Sequence, residues 1–164
     1  MHESSTSGED RGDRWVVAQF VLMALVLAAG WLPPGWPGSA NGVLPAVGAV
    51  CTLLGALVAV WAWRTLDRAA TPYPRPREGG RLIDTGPYEY VRHPIYSAGV
   101  LFFAGYAIAT SPAALVPLVA LAVLWRNKAA LEEELLARRY PDYRDYHARV
   151  TGAFIPRPAS ASGD

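Results

Sequence analysis

The sequence predicts an all-α integral membrane protein with four transmembrane helices. Three observations carry that reading. Hydrophobic residues make up 52% of the 164-residue chain and charged residues only 18%, below the roughly 25% of an ordinary soluble domain. The apolar residues come in long uncharged blocks, and the mean hydropathy is +0.15. All Lys, Arg, Asp and Glu residues lie outside those blocks, in three segments. The same balance excludes other classes. A net charge of +1 leaves no basic surplus to neutralise phosphates, which argues against a nucleic-acid binder. The single cysteine, Cys51, sits inside an apolar run and can form neither an internal disulfide nor a thiolate metal cluster.

The elements follow in order. Residues 1–14 are polar and rich in Ser, Gly and acids, and are expected to be disordered. Residues 15–63 hold two spans. Trp15–Leu32 is 18 residues without a charge and Val43–Trp63 is 21, each long enough at about 20 residues per bilayer core. The first is followed by Pro33-Pro34-Gly35 with no small-residue cleavage site, so it reads as a retained helix and not a signal peptide. Residues 64–156 hold the rest of the ordered chain. Ile95–Trp125 is 31 uncharged residues, too long for one span, and Thr110-Ser111-Pro112 punctuates it. Ser at an N-cap with Pro at the first helical position starts a helix. The block therefore divides into a third helix from Pro94 to Thr110 and a fourth from Pro112. The fourth has few apolar residues, but Arg126–Arg139 continues without Gly or Pro and extends it beyond the membrane; three spans with a re-entrant segment is the alternative count. Residues 157–164 read as a second disordered tail.

Charge placement orients the chain. Of 15 Lys and Arg residues, two precede the first span, six lie between spans two and three, and seven follow Trp125. The loop Pro33–Gly42 and the turn at Ser111 hold none. With four spans, every charge falls on one side, which the positive-inside rule makes cytosolic. Both termini and the long middle loop are then cytosolic, in a bacterial inner membrane.

Chemistry concentrates in two of the charged segments, GGRLIDTGPYEYVRHPIY (79–96) and LWRNKAALEEELLARRYPDYRDYHARVTGAFIP (124–156). Helices three and four, as a hairpin, would bring both to one membrane face. His93 precedes Pro94 at a helix start, where free N–H groups favour an anion. Tyr88, Tyr90 and Tyr96 surround it, and aromatic faces hold cations. The same residues also read as an interfacial tyrosine belt, with Arg92 anchored to headgroups. Lys128, Glu132 and Leu136 share one helix face, as do Glu133 and Ala137; the plainer reading is a solvated charged helix. No H-E-x-x-H or similar metal-ligand spacing is present, and no metal is expected. A carboxylate, a helix N-terminus, tyrosines and basic residues at a membrane boundary suit a zwitterionic, positively charged cofactor beside a lipidic substrate.

The order G-x-L-x-x-x-G-P-Y-x-x-x-R-H-P-x-Y, two helices, E-E-x-x-L, Y-x-x-Y and a closing I-P resembles the isoprenylcysteine carboxyl methyltransferase and phospholipid methyltransferase superfamily over Gly80–Pro156. The resemblance implies a membrane-embedded S-adenosylmethionine-dependent methyltransferase without a Rossmann domain. Its cofactor site is cytosolic, formed by the loop before helix three and the extension of helix four. By motif, the cofactor-binding positions are Gly80, Arg81, Leu82 and Ile83, then Tyr88, then His93, Pro94, Ile95 and Tyr96, and finally Glu132. Lys128 stands where the eukaryotic enzymes carry a substrate-orienting arginine, and it lacks the bidentate fork. Gly80 stands where family members commonly have His. Lys128 and Arg92 are the expected catalytic residues, orienting an anionic oxygen near the transferred methyl group. A carboxylate needs no base, and no isolated candidate base is present, which favours O-methylation of a carboxylate or phenol on a lipidic or isoprenoid substrate. Two other readings stay open: a phospholipid N-methyltransferase, and a non-catalytic membrane protein whose charged helix docks a partner.

Overall fold

The computed structural model describes residues 6–37, 42–67, 72–73 and 81–157, with the side chains of the first helix described from Gly12 onward. Among the described residues there are five α-helices and no strand: α1 (Thr6–Ala29), α2 (Val43–Leu66), α3 (Pro94–Ala109), α4 (Leu115–Arg139) and α5 (Tyr143–Arg149). Short 3₁₀ turns at Gly86–Glu89 and Pro112–Ala114 precede α3 and α4.

Small residues set how α2 and α3 pack. A Cβ added at Gly48 would lie 2.5 Å from the Gly105 carbonyl oxygen, and one at Gly55 would lie 2.5 Å from the Phe102 nitrogen. Only a hydrogen fits at these crossings, so the two backbones run together, antiparallel, along most of their length. Gly99 similarly leaves room for Trp125, whose ring would come within 2.6 Å of a Cβ there. On the other side α1 lies along α4, with Val26 in a core of Phe103, Ala107, Ala114, Leu118, Leu121 and Trp125. The main helix contacts are α2 on α3 and α1 on α4, and α1 and α2 have no substantial contact with each other.

At the uncharged end, side chains tie the loops to the α3–α4 turn. Trp36 Nε1 donates to the Ala107 carbonyl at 2.8 Å, Tyr106 to the Leu27 carbonyl at 2.6 Å, and Ser111 Oγ to the Pro34 carbonyl at 3.1 Å. Ser111 also caps the turn it begins, accepting from the Ala113 nitrogen at 3.2 Å. The helix break at Thr110-Ser111-Pro112 and the unbroken run of α4 to Arg139 match the sequence expectation.

Three helices among the described residues are long and apolar enough to cross a membrane, and the fourth expected span, α3, is apolar but shorter. Pro94 fixes the start of α3 and the Ser111-Pro112 cap fixes the next start. That leaves 16 residues, or about 24 Å of helix, against a hydrocarbon core of about 30 Å. The expected disorder of residues 1–14 gives way to helix from Thr6 onward; residues 1–5 and 158–164 lie outside the described residues.

Candidate active site

The loop entering α3 is shaped by its own sequence. Gly86 takes φ +61°, a conformation that favours glycine, and its nitrogen donates to Glu89 Oε1 at 3.1 Å. Pro87 follows at the start of the 3₁₀ turn, which buries Tyr88. His93 is the N-cap of α3, with Pro94 at the first helical position. The C-terminal residues then cross this helix start. The Arg92 and His93 nitrogens donate to the Gly152 and Ala153 carbonyls at 3.0 and 2.9 Å, and Ser97 Oγ donates to the Phe154 carbonyl at 2.6 Å. Phe154 and Tyr96 both stack with His93, each with centroids 5.7 Å away.

Two stripes of α4 complete the arrangement. Glu132 accepts from the Tyr96 hydroxyl at 2.6 Å, and its second oxygen lies 3.6 Å from His93 Nδ1. Glu133, the next residue, faces a different set: Arg92 Nε at 2.9 Å and His93 Nε2 at 3.0 Å. The Arg92 guanidinium also donates to the Val150 and Thr151 carbonyls at 2.7 and 2.8 Å. Lys128 is 1% exposed. Its ammonium donates to Gln19 Oε1 at 2.9 Å and to the Pro72 carbonyl at 2.5 Å, and lies 5.6 Å from the Tyr96 ring centre.

These groups surround one cavity of about 450 Å³, within the roughly 300–1,000 Å³ of small-molecule sites. Arg81, Leu82 and Ile83 line it from the loop and Tyr88 from the 3₁₀ turn. His93, Ile95 and Tyr96 line it from α3, and Lys128 and Glu132 from α4. Pro94 is buried at the head of α3 and sets its start without lining the cavity. Gly80 lies outside the described residues. Arg92 reaches the cavity wall, but its Nε and Nη1 donors are taken by Glu133 and the two carbonyls, so it clamps the C-terminal segment to α4.

The sequence reading missed several walls. Gln19, Phe20 and Met23 come from α1, Trp63 and Leu66 from α2, and Tyr140, Tyr143 and Tyr146 from the C-terminal part. Gln19 carried a signal: a polar residue inside the apolar run Trp15–Leu32, which in a spanning helix marks an interior or functional position. Burial pushes the Tyr88, Tyr143 and Tyr146 phenols above their ordinary range, so each stays neutral. Tyr146 uses its proton to hold the Tyr88 carbonyl at 2.9 Å. The buried indole N–H of Trp125 has no hydrogen-bond partner among the described residues.

A family model for phospholipid methyltransferases matches residues 43–143, from the start of α2 to the start of α5. The chain belongs to the phospholipid methyltransferase family. The match agrees with the superfamily read from the R-H-P-x-Y and E-E motifs. The α1 helix and the C-terminal segment over α3 lie outside the matched residues. The chain is 31% identical over 144 residues to the nickel-cobalt-cadmium resistance protein NccN of Alcaligenes xylosoxydans xylosoxydans, covering 87% of this chain and 62% of that one. It is 29% identical over 151 residues to the cobalt-zinc-cadmium resistance protein CzcN of Cupriavidus metallidurans, covering 91% and 64%. The chain thus spans less than two thirds of the length of these curated relatives.

Proposed function

We propose that the protein is an integral-membrane S-adenosylmethionine-dependent methyltransferase, similar to the isoprenylcysteine carboxyl methyltransferases, that O-methylates a carboxylate or phenolic group of a lipidic or isoprenoid substrate. The observation that carries the reading is the single cavity onto which the 81–83 loop, Tyr88, the head of α3 and the Lys128–Glu132 face all converge. Its donor set fits the cofactor. Glu132 offers a carboxylate to a cationic amino group, Tyr88 and Tyr96 offer aromatic faces, and His93 and Arg81 stand where polar parts would lie. When bound, S-adenosylmethionine supplies an electrophilic methyl group on a sulfonium. The chain itself mainly has to bind, align and exclude water.

Each residue then has a task. Glu132, fixed by the Tyr96 hydroxyl, holds the cofactor. Lys128 orients the acceptor oxygen. Arg92 serves as a positioning residue, because its guanidinium holds Glu133 and the C-terminal segment in place. The cavity wall between α1 and α2 is apolar, lined by Phe20, Met23, Trp63 and Leu66, which suits a hydrocarbon chain. By the distribution of Lys and Arg, the charged end of the bundle faces the cytosol of a bacterial inner membrane. Although the relatives are named for metal resistance, no group of three His, Cys, Asp or Glu among the described residues is placed to hold a metal ion.

The test is calorimetric titration of detergent-purified protein with S-adenosylmethionine and S-adenosylhomocysteine, beside Glu132→Ala. Binding by wild type that the variant loses, followed by radiolabelled methyl transfer to an acidic lipid, is the expected result. Methylated phosphatidylethanolamine as the product would instead make it an N-methyltransferase. Folded wild type that binds neither ligand at millimolar concentration would leave a non-catalytic docking protein as the better account.

A further inference from the structure

We propose that Gln19 of α1 joins Lys128 in a clamp that turns an excess of hydrogen-bond donors and a positive charge toward the substrate, which selects an anionic oxygen and disfavours an amine. The inference rests on the methyltransferase reading and assigns acceptor specificity to a helix outside the matched family residues.

The polar groups of the cavity are not mixed. Glu132 and His93 stand together beside Tyr96, and Glu132 is the cavity's carboxylate. Gln19 and Lys128 stand together at the junction of α1 and α4, next to Phe20 and Met23. Gln19 is 7% exposed and Lys128 1%, so both are nearly removed from solvent, where electrostatic differences count most.

Counting donors and acceptors shows what this end lacks. The ammonium has three N–H groups; Gln19 Oε1 and the Pro72 carbonyl take two. The Gln19 side-chain oxygen accepts one of those bonds, which turns the carboxamide's oxygen toward the ammonium. Its amide nitrogen keeps two N–H groups with no partner among the described residues. Among the described residues, one ammonium N–H and two amide N–H groups remain unspent, and the ammonium carries a positive charge. A carboxylate or phenolate oxygen satisfies that set. An alkylammonium meets a like charge, and its only nearby acceptors are the two carbonyl oxygens already engaged by that charge, a penalty that burial enlarges. The bond to Gln19 also fixes the ammonium, giving a flexible lysine a defined direction that its point charge alone would not supply.

Purified protein in detergent is titrated with farnesoic acid, farnesol and farnesylamine, three probes with one chain and different head groups. Trp63 and Trp125 line the cavity, so intrinsic fluorescence reads occupancy. S-adenosylhomocysteine calorimetry on the same samples reports the cofactor site, and circular dichroism reports folding. Wild type is expected to bind the acid at least ~10-fold more tightly than the amine, a difference of about 1.4 kcal/mol. Gln19→Leu should bring the two within a few fold of one another, and Gln19→Glu should reverse the order. Gln19→Asn, which keeps the amide on a shorter stem, covers the case in which the leucine variant fails to fold.

Two outcomes overturn the clamp: wild type that binds the acid no better than the amine, including the case in which it binds neither, or a preference that survives both Gln19→Leu and Gln19→Glu. If S-adenosylhomocysteine binding is absent in folded wild type, the methyltransferase reading falls while the acid-to-amine ratio still reports on the clamp. If that binding is present and the ratio is flat, the clamp falls alone.

Discussion

Replacing Arg92 by alanine is expected to release the C-terminal segment from the head of α3. The guanidinium is nearly buried, with 8% of its side chain exposed, and its partner Glu133 is 22% exposed. It makes one bond to a carboxylate and two to carbonyls, all between 2.7 and 2.9 Å. Hydrogen bonds to a charged group contribute about 1.5–3 kcal/mol each, but the three share one anchor and do not add independently. Removing one member of a buried pair costs about 3–5 kcal/mol. That range is the expected loss, mitigated at Glu133 by the remaining contact with His93 Nε2. The segment Val150–Phe154 would still be held through the backbone bonds from positions 92 and 93 and through Ser97. The readout is hydrogen exchange at the amides of positions 92 and 93, whose acceptors are the Gly152 and Ala153 carbonyls. Three kcal/mol off the local opening energy speeds exchange by about two orders of magnitude. Arg92→Lys should fall between, since a lysine keeps the charge near Glu133 but cannot serve the two carbonyls as well. A change of less than about tenfold in Arg92→Ala would refute the clamp, because the bond energies above translate into no smaller effect.

Two further outcomes follow from the same geometry. Tyr96→Phe removes the 2.6 Å bond to Glu132, worth about 1.5–3 kcal/mol; S-adenosylhomocysteine affinity measured by calorimetry should drop about 10- to 100-fold, and unchanged affinity would count against Glu132 as the cofactor's anchor. The raised phenols of Tyr88, Tyr143 and Tyr146 make a signed pH prediction. Their contribution is fully present below about pH 10, the ordinary phenol value, and is lost as pH rises above it. Over that range the unfolded chain releases three protons that the fold retains. Thermal midpoints recorded from pH 8 to pH 11 should fall above pH 10, less steeply in Tyr146→Phe.

Much of this arrangement was legible because short-range rules fixed it. Pro94 could only begin a helix, Ser111-Pro112 could only restart one, and the spacing of Lys128, Glu132 and Leu136 put them on one face whatever lay opposite. All three line the cavity. What was not legible depended on which helices are neighbours. Nothing in the run Trp15–Leu32 says that α1 packs on α4, so Gln19 had no visible partner until the fold supplied Lys128. Arg92 read equally well as a headgroup anchor or a substrate contact; its carbonyl partners are backbone atoms about 60 residues away, which no side-chain pattern encodes. The length of α3 was hidden for a related reason. Apolarity measures what a segment can do in lipid, while the length of α3 was set by the capping residues at its two ends.

The adjacent glutamates show how a run of like residues can hide two roles. Successive residues on an α-helix are rotated by about 100°, so Glu132 and Glu133 cannot face the same neighbour. Glu132 continues the stripe of Lys128 and Leu136 into the cavity, where Tyr96 holds it. Glu133 faces Arg92, with His93 Nε2 3.0 Å away, and is occupied with tying α4 to the loop that ends in His93. His93 lies between the two carboxylates, one ring nitrogen toward each. A change in the clamp would therefore reach the cavity through the imidazole without touching a cavity carboxylate. As a surface charge run, E-E-E predicts that its members are interchangeable. In the folded chain, Glu134 is exposed and 3.9 Å from Arg138, and it alone keeps that plain role. Substituting Glu132, Glu133 and Glu134 one at a time should accordingly separate cofactor binding, segment attachment and neither.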